Sequence, residues 1–167
     1  MKKFRIVFLT TIIIGAICIP FSVVHAEAAP KFNGISYGAY RGKGPGSGEI
    51  ITEANVREDM QILKDIGCTH IRTYGSGLNQ KIIPKIAHEY SITTFIGAWI
   101  SLDHESNLAE LNLAMESAVS PNDVIIVGGE VLLREELSTA ALIELFSIVK
   151  NAGFMVAYSD TYNMLEK

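Results

Sequence analysis

Short apolar runs alternate with longer stretches of helical periodicity along this 167-residue chain, and this alternation limits its fold more than any other feature. Apolar runs of strand length are typical of buried parallel strands, and the stretches between them repeat apolar residues at helical spacing. The pattern predicts repeated βα units around a parallel sheet, which is an α/β fold. The predicted strands are residues 34–38, 69–74, 92–100, 123–127 and 154–158.

The helices predicted between these strands have recognisable ends. Thr52 and Ser138 are expected to cap the first and fourth helices, Gly67 to end the first, and Pro84 to lie in the first turn of the second. The apolar faces expected to pack on the sheet are Val56, Met60, Leu63 and Ile66; Ile82, Ile83, Ile86 and Tyr90; Leu108, Leu111, Met115 and Ala118; and Leu142, Leu145, Phe146 and Val149.

These elements amount to about four and a half βα units, whereas a closed (β/α)8 barrel needs eight units and typically about 250 residues. Two folds fit this number: an open five-stranded sheet, or a TIM-barrel-like (β/α)8 fold that is truncated. The helix-like segment from Thr161 reaches Lys167 without a capping or breaking residue, which favours the truncated barrel.

The N-terminus has the layout of a secretory signal peptide. Lys2, Lys3 and Arg5 precede an apolar run over residues 6–19, and Ala26 offers a small-residue cleavage site. We therefore predict a signal peptide over residues 1–26, one domain over residues 27–167, and an exported protein. The net charge of −4 becomes more negative when the leader is removed, which argues against nucleic acid as a partner.

Glu130 is the strongest catalytic candidate in the sequence. It follows a buried apolar run and two glycines, Gly128 and Gly129, which allow a sharp backbone turn. The carboxyl ends of parallel strands carry the chemistry of such folds. The alternative is a helix N-terminal charge, but Glu135 and Glu136 lie closer to the predicted cap.

Two motifs connect these residues with a known family. Residues 71–76 (IRTYGS) and 127–134 (VGGEVLLR) closely resemble glycoside hydrolase family 17, which contains β-1,3-glucanases and related glucanosyltransferases. The resemblance extends through residues 34–38 (GISYG), 97–99 (GAW) and 156–160 (VAYSD). It implies a retaining β-glycosidase on a (β/α)8 barrel, with Glu130 as the general acid/base and β-glucan or an oligosaccharide as the ligand.

The same resemblance implies a set of substrate contacts and two departures from the family. Tyr37, Arg72, Tyr74 and Trp99 at strand ends are candidate substrate contacts. Arg72 is also expected to pair with a carboxylate at the same edge, and a solvated arginine is the alternative. Gly129 replaces a family asparagine that is expected to bind the sugar 2-hydroxyl. The family's nucleophile follows a seventh strand, which is missing from the five predicted here. We therefore expect no hydrolysis by the isolated chain.

Several alternatives stay open at this point. Asp160, Asp103 or Glu105 could replace the nucleophile, because neighbouring parallel strands lie only about 4.8 Å apart. The chain could also bind glucan without cleaving it, or complete a barrel by self-association or with a C-terminal half-barrel partner. The residues do not distinguish hydrolysis from transglycosylation.

Other site classes are disfavoured. The glycine-rich loop over residues 41–48 matches neither the phosphate-loop nor the dinucleotide pattern. His70, His88 and His104 lack metal-ligand spacing, and a leaderless chain keeps Cys68 as its lone cysteine. We predict no metal and no cofactor.

Overall fold

The computed structural model describes residues 33–165 except residues 43 and 46, so the predicted signal peptide lies outside the described part. Its elements are β1 (Gly34–Ser36), α1 (Glu53–Asp65), β2 (His70–Arg72), a 3-10 turn (Gln80–Ile82), α2 (Ile83–Glu89), β3 (Thr93–Ala98), α3 (His104–Ser117), β4 (Val124–Gly129), α4 (Thr139–Asn151), β5 (Met155–Ser159) and α5 (Tyr162–Leu165). No helix within this part is both long and apolar enough to cross a membrane.

The strands form one parallel sheet in the sequential order β1-β2-β3-β4-β5. Each crossover moves to the next strand in the same direction, and such crossovers are almost always right-handed, so consecutive helices lie on one face of the sheet. Accordingly, α1 contacts α2, α2 contacts α3 and α3 contacts α4. The α/β prediction is confirmed. A sequential order suits both an open sheet and a barrel segment, so the truncated barrel stays a prediction.

Two clusters of buried apolar side chains join the helices to the sheet. The first lies under α1 and α2, and the second lies under α3 and α4. Their fully buried members include Val56, Met60, Ile71 and Ile83 in the first cluster, and Ile96, Leu111, Ile125 and Val149 in the second. Each such side chain stabilises the fold by about 1.5–3 kcal/mol. The clusters fix the strands and therefore the positions of the loops that follow them.

The predicted helix signals act as expected at most ends. Thr52 accepts a hydrogen bond from the amide of Asn55 (3.3 Å), Ser138 accepts one from Ala141 (3.2 Å), and Gly67 takes a left-handed conformation with φ +81°. Pro84 lies in the first turn of α2, which begins after the separate 3-10 turn.

Two predicted apolar faces need correction. Ile66 is 57% exposed because α1 ends at Asp65, and the helical spacing no longer governs the next residue. In α3 the buried face is Asn107, Leu111, Ala114 and Ser117, whereas Leu108, Met115 and Ala118 are partly buried. Asn107 is satisfied by the backbone of Ser101, to which it both donates and accepts.

Candidate functional site

A sharp turn at the carboxyl end of β4 sets the position of Glu130. The β4–β5 register shifts between Ile126 and Gly129, and Gly128 adopts φ +79°. A Cβ atom on Gly128 would lie 2.5 Å from Cγ2 of Val131, so the turn requires glycine there. Irregularities of this kind re-aim side chains and are frequent next to active sites.

Glu130 itself has a left-handed backbone with φ +58°. Its amide donates to the carbonyl of Ser159 (2.8 Å), and its carbonyl accepts from the amide of Arg134 (2.9 Å). The left-handed region costs a non-glycine residue about 1–2 kcal/mol, and such outliers cluster at functional sites. The neighbouring backbone therefore holds Glu130 in a strained conformation that leaves its carboxylate exposed at the edge of the sheet.

Two arginines flank the glycine before Glu130. Arg134 donates to the carbonyls of Gly129 and Ile100 and to Glu136, and its guanidinium lies 4.8 Å from the ring centroid of Trp99. The hydrogen bond with Glu136 raises the pKa of Arg134, so this cation is permanent. Through these contacts Arg134 connects Trp99 with the turn that follows β4.

Arg72, the second arginine, lies on the other side of Gly129. A Cβ atom on Gly129 would be 3.3 Å from Nη2 of Arg72, and the guanidinium lies 5.1 Å from the ring centroid of Tyr74. Its Nε atom is buried and has no hydrogen-bond partner among the described residues. No described carboxylate forms an ion pair with Arg72, so the partner expected from the sequence is not found in this part of the chain.

The structure thus groups five of the six candidate residues. Glu130, Gly129, Arg72, Tyr74 and Trp99 are linked through the two arginines. Tyr37 is a backbone neighbour of Arg72, to whose carbonyl its amide donates (2.8 Å), but its side chain lies in the core. Tyr37 is 9% exposed in the first core cluster. Its hydroxyl donates to Asp59 of α1 (2.7 Å), and burial raises its pKa well above the usual range. This placement gives Tyr37 a packing contact with α1, and its predicted sugar contact stays untested.

A cleft of about 670 Å³ opens beside the Trp99–Arg134 pair. Aromatic rings form much of its wall, and Tyr74 and Trp99 are each 50% exposed. Its lining residues are Gly38, Tyr40, Pro45, Tyr74, Gly75, Gly77, Leu78, Gln80, Trp99 and Glu110. The volume lies within the range of about 300–1,000 Å³ that is typical of small-molecule sites.

Two of the three carboxylates considered as replacement nucleophiles already have structural contacts. Asp103 accepts a hydrogen bond from the amide of Ser106 (3.1 Å) and caps α3. Asp160 accepts from the hydroxyl of Tyr158 and from the amide of Thr161 (2.7 Å). Burial raises the pKa of Asp160, but these hydrogen bonds outweigh it and leave the pKa below its ordinary value. Glu105 is exposed in the first turn of α3.

Sequence reasoning predicted no role for Glu110 or Arg134. Glu110 is a mid-helix glutamate of α3, and no local pattern shows that it reaches a loop more than thirty residues earlier in the chain. Arg134 lies inside the VGGEVLLR motif, which was a usable signal. Within the described residues, no group of three His, Cys, Asp or Glu side chains is arranged to hold a metal ion.

Comparisons of the chain with protein-family models, with curated proteins and with solved structures give no match. The resemblance to glycoside hydrolase family 17 therefore depends on the motifs quoted above.

Proposed function

We propose that this chain is an exported, glycoside hydrolase family 17-like protein that recognises β-1,3-glucan and contributes Glu130 as the acid/base of a retaining site. The observation that carries the proposal is the strained turn that presents the Glu130 carboxylate at the carboxyl edge of the sheet. Non-glycine residues with a left-handed backbone cluster at functional sites. Glu135 shares the positive φ, but Glu130 directly follows β4, at the carboxyl edge that carries the chemistry of parallel α/β folds.

The arginines support a site that receives a second carboxylate. Retaining hydrolysis needs a nucleophilic carboxylate about 5 to 5.5 Å from the acid/base. Arg72 reaches the side of Gly129 and offers a buried Nε–H without a partner among the described residues. A buried donor without a partner costs about 1–3 kcal/mol, and an incoming carboxylate would remove that cost.

We expect the 167-residue chain to bind glucan without hydrolysing it, because Asp103 and Asp160 already serve structural roles and Glu105 is an exposed charge in the first turn of α3. Asp103 caps a helix and Asp160 is held by Tyr158. A small external carboxylate can replace a missing nucleophile. Formate would attack the anomeric carbon to give a glycosyl formate, while Glu130 protonates the departing glycosidic oxygen.

The experiment is a reducing-sugar assay on laminarin, with and without about 1 M sodium formate. We expect no release without formate, slow release with it, and loss of that release in Glu130→Gln. Glu135→Gln is the matched control, because Glu135 is also exposed with a positive φ in the same turn. Equal formate-dependent release by Glu130→Gln would contradict the acid/base role.

A second candidate, non-catalytic glucan recognition, is favoured by the size and aromatic walls of the cleft. It predicts binding of laminari-oligosaccharides with no formate-dependent cleavage. Calorimetry together with the formate assay therefore separates the two candidates.

The face of the sheet opposite the helices supports a macromolecular partner. Arg72, Phe95, Val124 and Met155 pair in register across β2 to β5, and Met155 is 47% exposed. Parallel sheets are normally covered on both faces. We propose that a C-terminal half-barrel or a second copy covers this row. Sedimentation that shows only folded monomer at all concentrations would exclude the second copy.

A further inference from the structure

We infer that the cleft beside Trp99 binds a neutral pyranose ring and that Glu110 accepts hydrogen bonds from its hydroxyl groups. This inference deepens the proposed function by assigning a sugar-binding position away from Glu130, and its choice of a glucan ligand depends on that function.

Glu110 is fixed in place by one of its two carboxylate oxygens. Oε1 accepts hydrogen bonds from the amides of Ser76 and Trp99, the second at 3.2 Å. A Cβ atom on Gly75 would lie 2.9 Å from this oxygen, so a glycine there lets the loop approach the carboxylate. The carboxylate therefore bridges the ends of β2 and β3 and needs no rearrangement to receive a ligand.

The second oxygen of Glu110 is available for a ligand. Oε2 accepts no hydrogen bond from the described residues, and no described cation pairs with this carboxylate. It lies 3.3 Å from the Cβ position of Gly77, a residue of the cleft wall. Hydrogen bonds to an ionised carboxylate are roughly twice as strong as neutral ones, so a hydroxyl donor gains most at this atom.

Tyr40 supplies the complementary donor. Its hydroxyl oxygen accepts a hydrogen bond from Nε2 of Gln80 (3.1 Å), and the hydroxyl hydrogen has no acceptor among the described residues. Burial raises the pKa of Tyr40, and the negative charge of Glu110 adds to the effect, so the hydroxyl keeps its proton. A sugar hydroxyl both donates and accepts, and therefore matches this pair of groups.

The arginines on the aromatic walls favour a neutral ligand over a cation. Arg72 is 5.1 Å from the Tyr74 ring centroid and Arg134 is 4.8 Å from that of Trp99, yet neither guanidinium lines the cleft. Each ring already interacts with a positive charge, which weakens its attraction for a second cation. A pyranose instead places its apolar C–H face on such a ring.

The test uses Trp99 as its reporter, because it is the one tryptophan of the chain. Fluorescence is titrated with laminaribiose, cellobiose and tetramethylammonium, and acrylamide quenching measures access to the ring. We expect a disaccharide to shift the emission and protect Trp99. Glu110→Gln should weaken disaccharide binding roughly tenfold or more, because it removes the charge from the accepting oxygen.

Glu116→Gln is the matched control, since Glu116 lies on the same helix with an exposed side chain outside the cleft lining. It should bind as the wild type does. Tyr40→Phe removes only a hydroxyl and should weaken binding about fivefold. If Glu110→Gln does not fold, the affinity of Tyr40→Phe tests whether the cleft binds the disaccharide.

Each outcome separates the cleft assignment from the proposed function. Cellobiose binding that exceeds laminaribiose binding and depends on Glu110 supports the cleft and contradicts the β-1,3-glucan proposal. Tighter binding of tetramethylammonium than of either disaccharide overturns the inference. So does a Trp99 signal that neither disaccharide changes, or equal affinities in the wild type and both cleft variants.

Discussion

Replacing Glu130 with glycine should give a more stable protein than replacing it with alanine, which reverses the usual order of these residues. The reason is the left-handed backbone of Glu130, with φ +58°. Alanine keeps the strain of a β-carbon in that region, whereas glycine adopts it freely. The side chain is exposed, so both variants lose little packing.

The expected size follows from two opposing terms. Removing the β-carbon recovers about 1–2 kcal/mol of left-handed strain, and the greater freedom of glycine in the unfolded chain costs about 0.4–1 kcal/mol. The net advantage of glycine over alanine is therefore about 1 kcal/mol. Glu144 is the control because it is exposed within α4, where glycine should be about 1 kcal/mol less stable than alanine.

The assay is urea denaturation of the four variants Glu130→Gly, Glu130→Ala, Glu144→Gly and Glu144→Ala. Thermal melting supplies a second measurement, in which 1 kcal/mol corresponds to a shift in melting temperature of roughly 2–4 °C for a chain of this size. If glycine is less stable than alanine by the same amount at both positions, Glu130 is not strained. The structural basis for its proposed catalytic role would then be lost.

Three further changes test other parts of the structure. Gly97→Ala should destabilise the fold by about 3 kcal/mol in urea denaturation, since its Cβ would lie 2.4 Å from the backbone oxygen of Thr73; a loss below about 1 kcal/mol would contradict this packing. Gly129→Asn should change the free energy of unfolding by less than about 1 kcal/mol, because the atom nearest to the new Cβ belongs to the flexible Arg72 side chain. The asparagine would restore the contact with the sugar 2-hydroxyl, so calorimetry should show about tenfold tighter binding of laminari-oligosaccharides. Unchanged affinity would contradict the role assigned to that contact. Asp123→Asn should cost about 2–4 kcal/mol in urea denaturation at pH 7. Burial raises the pKa of Asp123, but the hydrogen bonds outweigh burial and leave that pKa below its ordinary value. The ionised carboxylate therefore stabilises the fold above its unfolded pKa of about 3.9, and this stabilisation is lost as the pH falls through the folded pKa. The variant should therefore lose less stability than the wild type below about pH 4, and parallel curves would refute the assignment.

The sequence predicted the parts of the fold that depend on local chemistry. Thr52, Ser138 and Gly67 act within a few residues of their own position, so their roles at helix ends are readable from the chain. The alternation of elements was enough for a parallel sheet. The face of α3 was harder, because its buried positions include polar Asn107 and Ser117, which periodicity counts as exposed.

The candidate site was predictable only where a motif marked it. Glu130 and Trp99 follow strands and were identified from that context. The contact between Glu110 and the loop at Ser76 joins residues distant in sequence, and it depends on a loop conformation that no spacing rule describes. The sequence predicts Asp123 only as the first residue of a strand. Its carboxylate accepts hydrogen bonds from the His88 ring, the Thr94 hydroxyl and the amides of Thr94, Val119 and Ser120.

A crystal structure with a bound laminari-oligosaccharide tests the central claim most directly. We predict that a carboxylate oxygen of Glu130 lies about 2.6–3.2 Å from a glycosidic oxygen, within reach for proton transfer. An oligosaccharide bound at the carboxyl edge of the sheet with every glycosidic oxygen beyond the reach of Glu130 would contradict the acid/base role. An oligosaccharide bound away from this edge would contradict the account as a whole.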